Sequence, residues 1–163
     1  MRHALTLLAF LLLCTSSFAQ NITELRKVDS LINIPDLQAA KTALRELESG
    51  ADDGLRIACE NRTARILIIE GNLNEATDLL GKLSSSDPYL SAITHSTQGF
   101  LFLNKSRQDL ALEKLEQAWA EFQQGGKSTT DEAALCLSNL GLVYLTTGKF
   151  NQALEFSRMA LTT

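Results

Sequence analysis

The sequence predicts an all-α fold built from helical hairpins, and three observations predict it. The chain has 163 residues, 45% hydrophobic and 21% charged, with only two prolines, a composition that favours one helical domain. Apolar residues recur at the three- and four-residue spacing of an amphipathic helix. A small residue recurs in the second helix of each predicted hairpin, at Ala40, Ala76, Ala111 and Ala153.

Residues 1–19 have the pattern of a secretory signal peptide. A short basic head precedes the uncharged apolar run Ala4–Cys14, and Ala19 completes a small-x-small cleavage site before Gln20. The alternative, a membrane anchor, needs about 18 to 20 apolar residues, more than this run supplies. We therefore expect an exported protein, periplasmic or on the cell surface if the source is bacterial, with Gln20 as its first mature residue.

The first predicted hairpin covers residues 22–49. Its helices are marked by apolar residues at helical spacing: Leu25, Val28, Leu31 and Ile32 on the first, and Leu37, Ala40, Leu44 and Leu47 on the second. Pro35 and Asp36 occupy the turn between them. The Gly- and Asp-rich segment 49–54 is predicted to be a loop.

The second predicted hairpin covers residues 57–88, with helices Ala58–Glu70 and Leu73–Leu83 on either side of a Gly-Asn turn. Asp87 stands directly before Pro88. Because proline is tolerated at the first helical position, Asp87 is predicted to cap the helix that follows.

The third predicted hairpin covers residues 92–124 and pairs helix Tyr89–Leu103 with helix Asp109–Phe122. Ser106 stands where the neighbouring copies have a turn glycine. The glycine-containing stretch from residue 123 to residue 128 is predicted to end the second helix.

The fourth predicted hairpin covers residues 134–163 and is the best-formed copy. One apolar stripe comprises Leu137, Leu140, Gly141 and Tyr144, Gly148 ends that helix, and the periodicity restarts at Phe150. Thr129 and Glu132 have the spacing of a capping box, which predicts the start of the first helix.

The pattern L-x-x-L-G-x-x-Y, then a glycine turn and an alanine in a second helix, resembles the tetratricopeptide repeat, a helix-turn-helix unit of about 34 residues. The start of the chain is similar to that of bacterial exported proteins. The resemblance implies that residues 20–163 form a solenoid of about four repeats, coiled as a right-handed superhelix. It also implies a scaffold that binds a protein or an extended peptide on its concave face.

The resemblance places candidate peptide-binding residues on the first helix of each hairpin. They are Asn61, Arg62 and Arg65, with Ile68, in the second copy; Phe100, with Ser96 and Leu103, in the third; and Asn139 and Leu142, with Ser138 and Leu145, in the fourth. Asn139 falls where peptide-binding members use an asparagine on the ligand backbone. Arg62 and Arg65 could hold a carboxylate through paired hydrogen bonds, or lie on a solvated helix face. Phe100 and Leu142 could instead pack against a neighbouring helix.

Catalytic, metal and cofactor sites are not predicted. A reaction centre would have to pair His95 with Cys136, and no third group that would orient them is apparent. Cys59 and Cys136 fall in the same slot of copies two apart, which disfavours a disulfide between them, and we expect both to be buried as small apolar residues. No cluster has metal-ligand spacing and no glycine-rich loop follows a strand. We therefore expect neither a metal nor a cofactor, and no enzyme.

Partners are constrained by charge. The net charge of −4 gives no basic field that would attract nucleic acid, and we expect no stable membrane span in the mature chain. The sequence shows no polar capping helix after the fourth copy. Self-association through the open C-terminal end is therefore a further expectation.

The predicted function is an exported protein-interaction scaffold. The alternative is the N-terminal sensor or regulatory arm of a larger signalling enzyme, a histidine kinase or a caspase-like peptidase, whose catalytic part would lie beyond residue 163. The next stretch of coding sequence would distinguish the two, because catalytic motifs or a membrane span there would support the second.

Overall fold

The computed structural model describes residues 20–163, and every regular element in that part of the chain is an α-helix. The predicted all-α class is therefore confirmed for these residues. The predicted signal peptide lies outside them, together with Ala19 at its cleavage site. The helices are α1 (residues 20–33), α2 (Leu37–Glu48), α3 (Asp53–Ile69), α4 (Leu73–Leu80), α5 (Pro88–Asn104), α6 (Gln108–Gln124), α7 (Asp131–Thr146) and α8 (Phe150–Thr162).

The chain divides into two compact units, and the boundary between Arg62 and Thr63 falls inside α3. In the first unit the apolar faces of α1 and α2 are buried, with Val28 and Ile32 on α1 and Ala40 and Leu44 on α2. Apolar residues of α3 that belong to this unit, including Cys59, are buried as well.

The core of the second unit consists of two apolar clusters. The smaller one joins the end of α3 to α4 and α5 through Ala64, Ile68, Ala76, Leu80 and Leu101. The larger one joins α5 to α8 and includes Leu115 and Phe122 of α6 with Leu137, Leu140 and Val143 of α7. Because α7 packs against α5 and α6 as well as against α8, its apolar stripe is covered on several sides.

Three-residue connections separate the helices within each pair, at residues 34–36, 70–72, 105–107 and 147–149. The last three connections share one hydrogen-bond pattern. At the end of α7, for example, Gly148 N donates to Leu145 O (3.2 Å) and Lys149 N donates to Tyr144 O (2.8 Å). The residue at the centre of this pattern has a positive φ: Gly71 (82°), Ser106 (54°) and Gly148 (75°). This arrangement satisfies carbonyls that a helix end would otherwise leave unpaired.

Small residues lie where the two helices of a hairpin pack closely. A Cβ atom added to Gly99 would lie 3.3 Å from Ala111 O, and one added to Gly141 would lie 3.4 Å from Ala153 O. In both hairpins the partners are twelve positions apart. The same separation relates Ala64 to Ala76, which share one cluster, and Val28 to Ala40, which are both buried.

Several predicted helix boundaries differ from the observed ones. Helix α3 begins at Asp53, five residues before the predicted Ala58, because Asp52 Oδ1 accepts a hydrogen bond from Leu55 N (2.8 Å) and so caps the helix inside the predicted loop. Helix α4 ends at Leu80, before the predicted Leu83.

The caps of α5 and α7 were both predicted, with different outcomes. Asp87 caps α5 as predicted, since its Oδ1 accepts from Tyr89 N and Leu90 N. The cap of α7 is Thr130, whose Oγ1 accepts from Ala133 N (3.3 Å), and not the predicted Thr129. Two adjacent threonines offer the same side chain, and only the backbone conformation selects between them.

Candidate functional site

The candidate residues in the first unit, Asn61 and Arg62, are buried, and their side chains form hydrogen bonds within that unit. Asn61 Nδ2 donates to Ile57 O (2.9 Å). Arg62 donates to Asp29 Oδ2 from Nη2 (2.6 Å) and Nε (3.1 Å), and its Nη1 donates to Ala58 O (3.2 Å). With 4% of its surface exposed, Arg62 already binds a carboxylate of its own chain. This internal ion pair replaces the predicted role of Arg62 towards a ligand carboxylate.

The candidates on α3 and α5 in the second unit are partly or fully covered. Arg65 is half-buried, and Phe100 packs against the cluster that contains Ala64 and Leu101. Ser96 is buried and forms a hydrogen bond with Cys136. The packing alternative that the sequence left open for Phe100 is therefore the observed one.

The candidates on α7 form the accessible part of the predicted site. Leu142 and Leu145 expose 43% and 53% of their surfaces, and Ser138 is also exposed. Leu142 lies three positions after Asn139 and three before Leu145, so it occupies the centre of one helix face. We call the face formed by Ser138, Asn139, Leu142, Leu145 and Thr146 the Leu142 surface.

Asn139 differs from its polar neighbours on the Leu142 surface. Ser138 Oγ donates to Ala134 O (2.9 Å) and Thr146 Oγ1 donates to Val143 O (2.9 Å), so both hydroxyls are satisfied by their own helix. The Asn139 side chain, only 8% exposed, has no hydrogen-bond partner within residues 20–163. Its amide nitrogen and oxygen are not among the buried unpaired atoms of the described residues, so the two donors and the acceptor of this amide face solvent.

The opposite face of α7 fixes the orientation of the Leu142 surface. Tyr144 stacks on Phe156 of α8 with 5.3 Å between ring centroids, and its hydroxyl donates to Glu116 Oε1 of α6 (3.0 Å). Burial and the neighbouring Glu116 raise the pKa of Tyr144, so the hydroxyl stays a donor. At the start of α7, Glu132 Oε2 accepts from the Tyr89 hydroxyl of α5 (2.7 Å). These contacts turn Leu142 away from the core.

The histidine and cysteine of the considered catalytic pair each have another partner. Cys136 is fully buried, and its Sγ donates to Leu115 O (3.4 Å). Burial raises its pKa to about 12, against the opposing effect of the hydrogen bond with Ser96, so the thiol stays protonated at neutral pH. His95 Nδ1 lies 2.9 Å from Glu121 Oε2 instead.

Glu121 is the functional-looking residue that sequence reasoning missed. Besides His95, Ser91 Oγ (3.3 Å) and Gln117 Nε2 (3.4 Å) donate to its Oε1. His95 and Ser91 come from α5, whereas Glu121 and Gln117 come from α6, and no local sequence pattern links the two pairs. This polar cluster links α5 to α6 beside their apolar contact.

Both cysteines of the described chain are free and buried, as the sequence predicts. Burial is also the main cause that raises the pKa of Cys59 to about 11.

Residues 20–163 contain no group of three or more His, Cys, Asp or Glu side chains arranged to hold a metal ion. None of the helices in these residues combines the length and the apolar character that crossing a membrane requires.

No family model, no curated protein and no solved structure is significantly similar to this chain.

Proposed function

We propose that this chain is an exported tetratricopeptide-repeat scaffold that holds a partner protein by an extended peptide, bound along the first helices of its hairpins. The observation that carries the proposal is Asn139. Its side chain is mostly covered, but its amide, which has no partner among the described residues, reaches solvent beside the exposed Leu142. A peptide group of a ligand could accept a hydrogen bond from this amide and donate one to it, in place of water.

The repeat assignment is supported by equivalence between the hairpins. Each has a three-residue connection, and each has a small or buried pair of residues twelve positions apart. The shared turn geometry at Gly71, Ser106 and Gly148 adds a second correspondence. Neighbouring hairpins of this kind bury one another's apolar faces and leave a continuous surface available to a partner.

Export is supported by the sequence of residues 1–19. The test is N-terminal sequencing of the protein secreted by a bacterial host. We expect the mature chain to begin at Gln20, and retention of Met1 in the exported fraction would contradict the proposal.

Peptide binding is tested by selection of a random-peptide display library on the purified protein. We expect selected peptides to bind the wild type and to lose on the order of tenfold in affinity on Asn139→Ala, the loss of about one hydrogen-bonded peptide group. The matched control is Asn151→Ala at an exposed asparagine of α8, which should change nothing. Failure to select any binder, or equal losses in the two variants, would contradict the proposal.

Self-association is a second candidate property, favoured by the exposed apolar residues of α8. Phe150, Leu154 and Leu161 are all more than half exposed. Sedimentation velocity over a concentration series should show association that is abolished by Leu154→Glu combined with Leu161→Glu. A wild-type protein that remains monomeric at every concentration would contradict it.

A further inference from the structure

Three segments of the sequence have the pattern Asn-X-Ser/Thr, which is the acceptor for N-linked glycans in secreted proteins. They begin at Asn21, Asn61 and Asn104. A glycan is bulky and hydrophilic, so a folded protein accommodates it only where the asparagine side chain reaches solvent. The positions of these asparagines in the fold therefore decide whether the protein tolerates the modification.

Asn104 lies on the surface of the second unit. It is the last residue of α5, and both Asn104 and Ser106, in the turn that follows, are exposed. Its Nδ2 donates to Phe100 O (2.8 Å) and has a second hydrogen that a sugar can replace. A glycan at Asn104 would extend into solvent. Asn21, near the start of α1, is also partly exposed.

Asn61 lies instead in the packed interior of the first unit. With 1% of its surface exposed, it is one of the largest fully buried side chains among the described residues. Its Nδ2 lies 2.9 Å from Ile57 O, to which it donates. Along α3, Ile57, Cys59 and Arg62 are buried as well, and Arg62 is paired with Asp29.

A glycan on Asn61 is incompatible with this packing. Protein interiors contain few voids larger than a water molecule, whereas the first sugar would be joined directly to Nδ2. Its hydroxyl groups would also be buried without the hydrogen bonds that water gives them. The part of α3 around Asn61 would have to leave the core, so the modified chain cannot form the first unit as observed.

Burial in the folded protein does not protect Asn61, because the glycan transferase acts on the chain while it crosses the membrane, before it folds. The reaction joins Nδ2 to C1 of the first sugar and breaks the bond between that carbon and the phosphate of a lipid-linked oligosaccharide diphosphate. The lipid diphosphate leaves, and the nitrogen loses one proton. A chain that passes this transferase would therefore acquire a group that its fold cannot hold.

We propose that this protein is exported by a route that attaches no N-linked glycans, because its core contains the acceptor Asn61. This inference rests on the export in the proposed function. It goes beyond that function, since it excludes the glycosylating secretory pathway as the place where the protein folds. Asn104 provides the internal comparison, because a glycan there would not disturb the packing.

The test expresses two matched versions in a eukaryotic host, each with residues 1–19 replaced by a secretory leader of that host. Thr23→Ala with Ser106→Gly leaves the acceptor at Asn61, and Thr23→Ala with Thr63→Ala leaves the acceptor at Asn104. We expect the Asn104 version to be secreted with a glycan that an endoglycosidase removes. The Asn61 version should be secreted on the order of tenfold less or worse, since misfolded chains are retained and degraded.

Two measurements show that the glycan causes this loss. Both versions made in a bacterial host without the transferase should have the helical circular dichroism of the wild type. Blocking synthesis of the lipid-linked donor in the eukaryotic host should restore secretion of the Asn61 version.

The proposed route and the proposed export fail on different results. Secretion of a folded Asn61 version while the donor is present, whether Asn61 is modified or not, would overturn the route. Equal losses in the two versions, or a loss that blocking the donor does not relieve, would overturn it as well. Retention of Met1 in the fraction exported by a bacterial host would instead contradict export, and the route with it.

Discussion

Hairpins α5–α6 and α7–α8 are built to the same local plan but are buried to different extents. Both have a three-residue turn and a glycine facing an alanine carbonyl. Helix α6 buries Ala111, Leu115, Ala118 and Phe122, whereas α8 buries only Ala153. The difference arises because α6 packs against α5 and also against α7, while the contacts of α8 within its unit are with α7.

Local sequence pattern and burial are therefore separate properties of a helical hairpin. The shared turn and glycine pair set how two helices meet. How much a side chain contributes to stability depends on what covers the hairpin from outside. Substitutions in the two hairpins separate these two contributions when their effects are measured as free energies of unfolding by denaturant titration.

The largest difference is expected between two phenylalanines. Phe122 of α6 is 0% exposed and meets the Tyr89 ring edge-on at 6.0 Å, whereas Phe150 of α8 is 67% exposed. Phe122→Ala should lower the free energy of unfolding by about 3–5 kcal/mol, because it leaves a cavity. Phe150→Ala should lower it by about 0.5 kcal/mol or less. Similar losses in the two variants would mean that α8 is covered as well as α6 is.

The two hairpin glycines should respond differently to alanine. A Cβ atom at Gly99 would lie 2.5 Å from Leu115 Cγ in the core, so Gly99→Ala should cost about 1–3 kcal/mol by overpacking. At Gly141 the nearest atom is Ser157 Oγ at 2.9 Å, and Ser157 is exposed, so its hydroxyl can rotate away.

Gly141→Ala should therefore change the free energy of unfolding by less than about 1 kcal/mol, since the better helix propensity of alanine offsets the contact. Gly141→Ala combined with Ser157→Ala should be neutral or stabilising. A large cost that persists in this double variant would show that the α7–α8 packing is as tight as that of α5–α6.

Alkaline pH should weaken the contact between α6 and α7 through Cys136. Burial raises its pKa from 9.0 to about 12, so above pH 9 the unfolded chain loses a proton that the folded chain retains. The contribution of the Cys136 thiol to the free energy of unfolding is fully present below pH 9. It falls as the pH rises further, by about 1.4 kcal/mol per pH unit at most.

Cys136→Ala is the comparison that isolates this effect. The advantage of the wild type over the variant should shrink by about 1 kcal/mol between pH 8 and pH 10. Other ionisable groups contribute equally to both proteins and cancel. An advantage that is constant or grows with pH would mean that Cys136 ionises as easily in the folded protein as in the unfolded one.

The smallest effects are expected from exchanging the turn residues. Ser106 is the one non-glycine residue with positive φ in the described chain, whereas Gly148 occupies the same position in the last hairpin. Ser106→Gly should raise the free energy of unfolding by about 0.5–1 kcal/mol, and Gly148→Ser should lower it by about 1 kcal/mol. If both substitutions change stability in the same direction, the two turns are not equivalent.

The turns and helices were predictable because their causes are local. Gly148, Gly71 and the Asp87–Pro88 pair act on backbone atoms within a few positions, so their roles follow from neighbouring residues. The helix start at Asp53 was missed because Asp52 lies in a segment whose composition also suits a loop. Capping there is decided by one side-chain hydrogen bond.

The candidate site was predictable only in part. The resemblance to the tetratricopeptide repeat grouped Asn139 with Leu142 and Leu145, and the structure leaves the two leucines exposed. The same reasoning gave Arg62 a ligand role, since it could not foresee Asp29, which is 33 positions away. It likewise gave His95 no partner, because Glu121 is 26 positions away.

The sequence alone determined the helical class, the hairpin turns and the small residues at helix contacts, because propensity, capping and periodicity act over a few residues. Only the tertiary structure decided which face of each helix is covered. Burial and ion pairing depend on residues that are far apart in the chain. For this reason Arg62 is paired with Asp29 inside the first unit, whereas the Asn139 amide has no partner among residues 20–163.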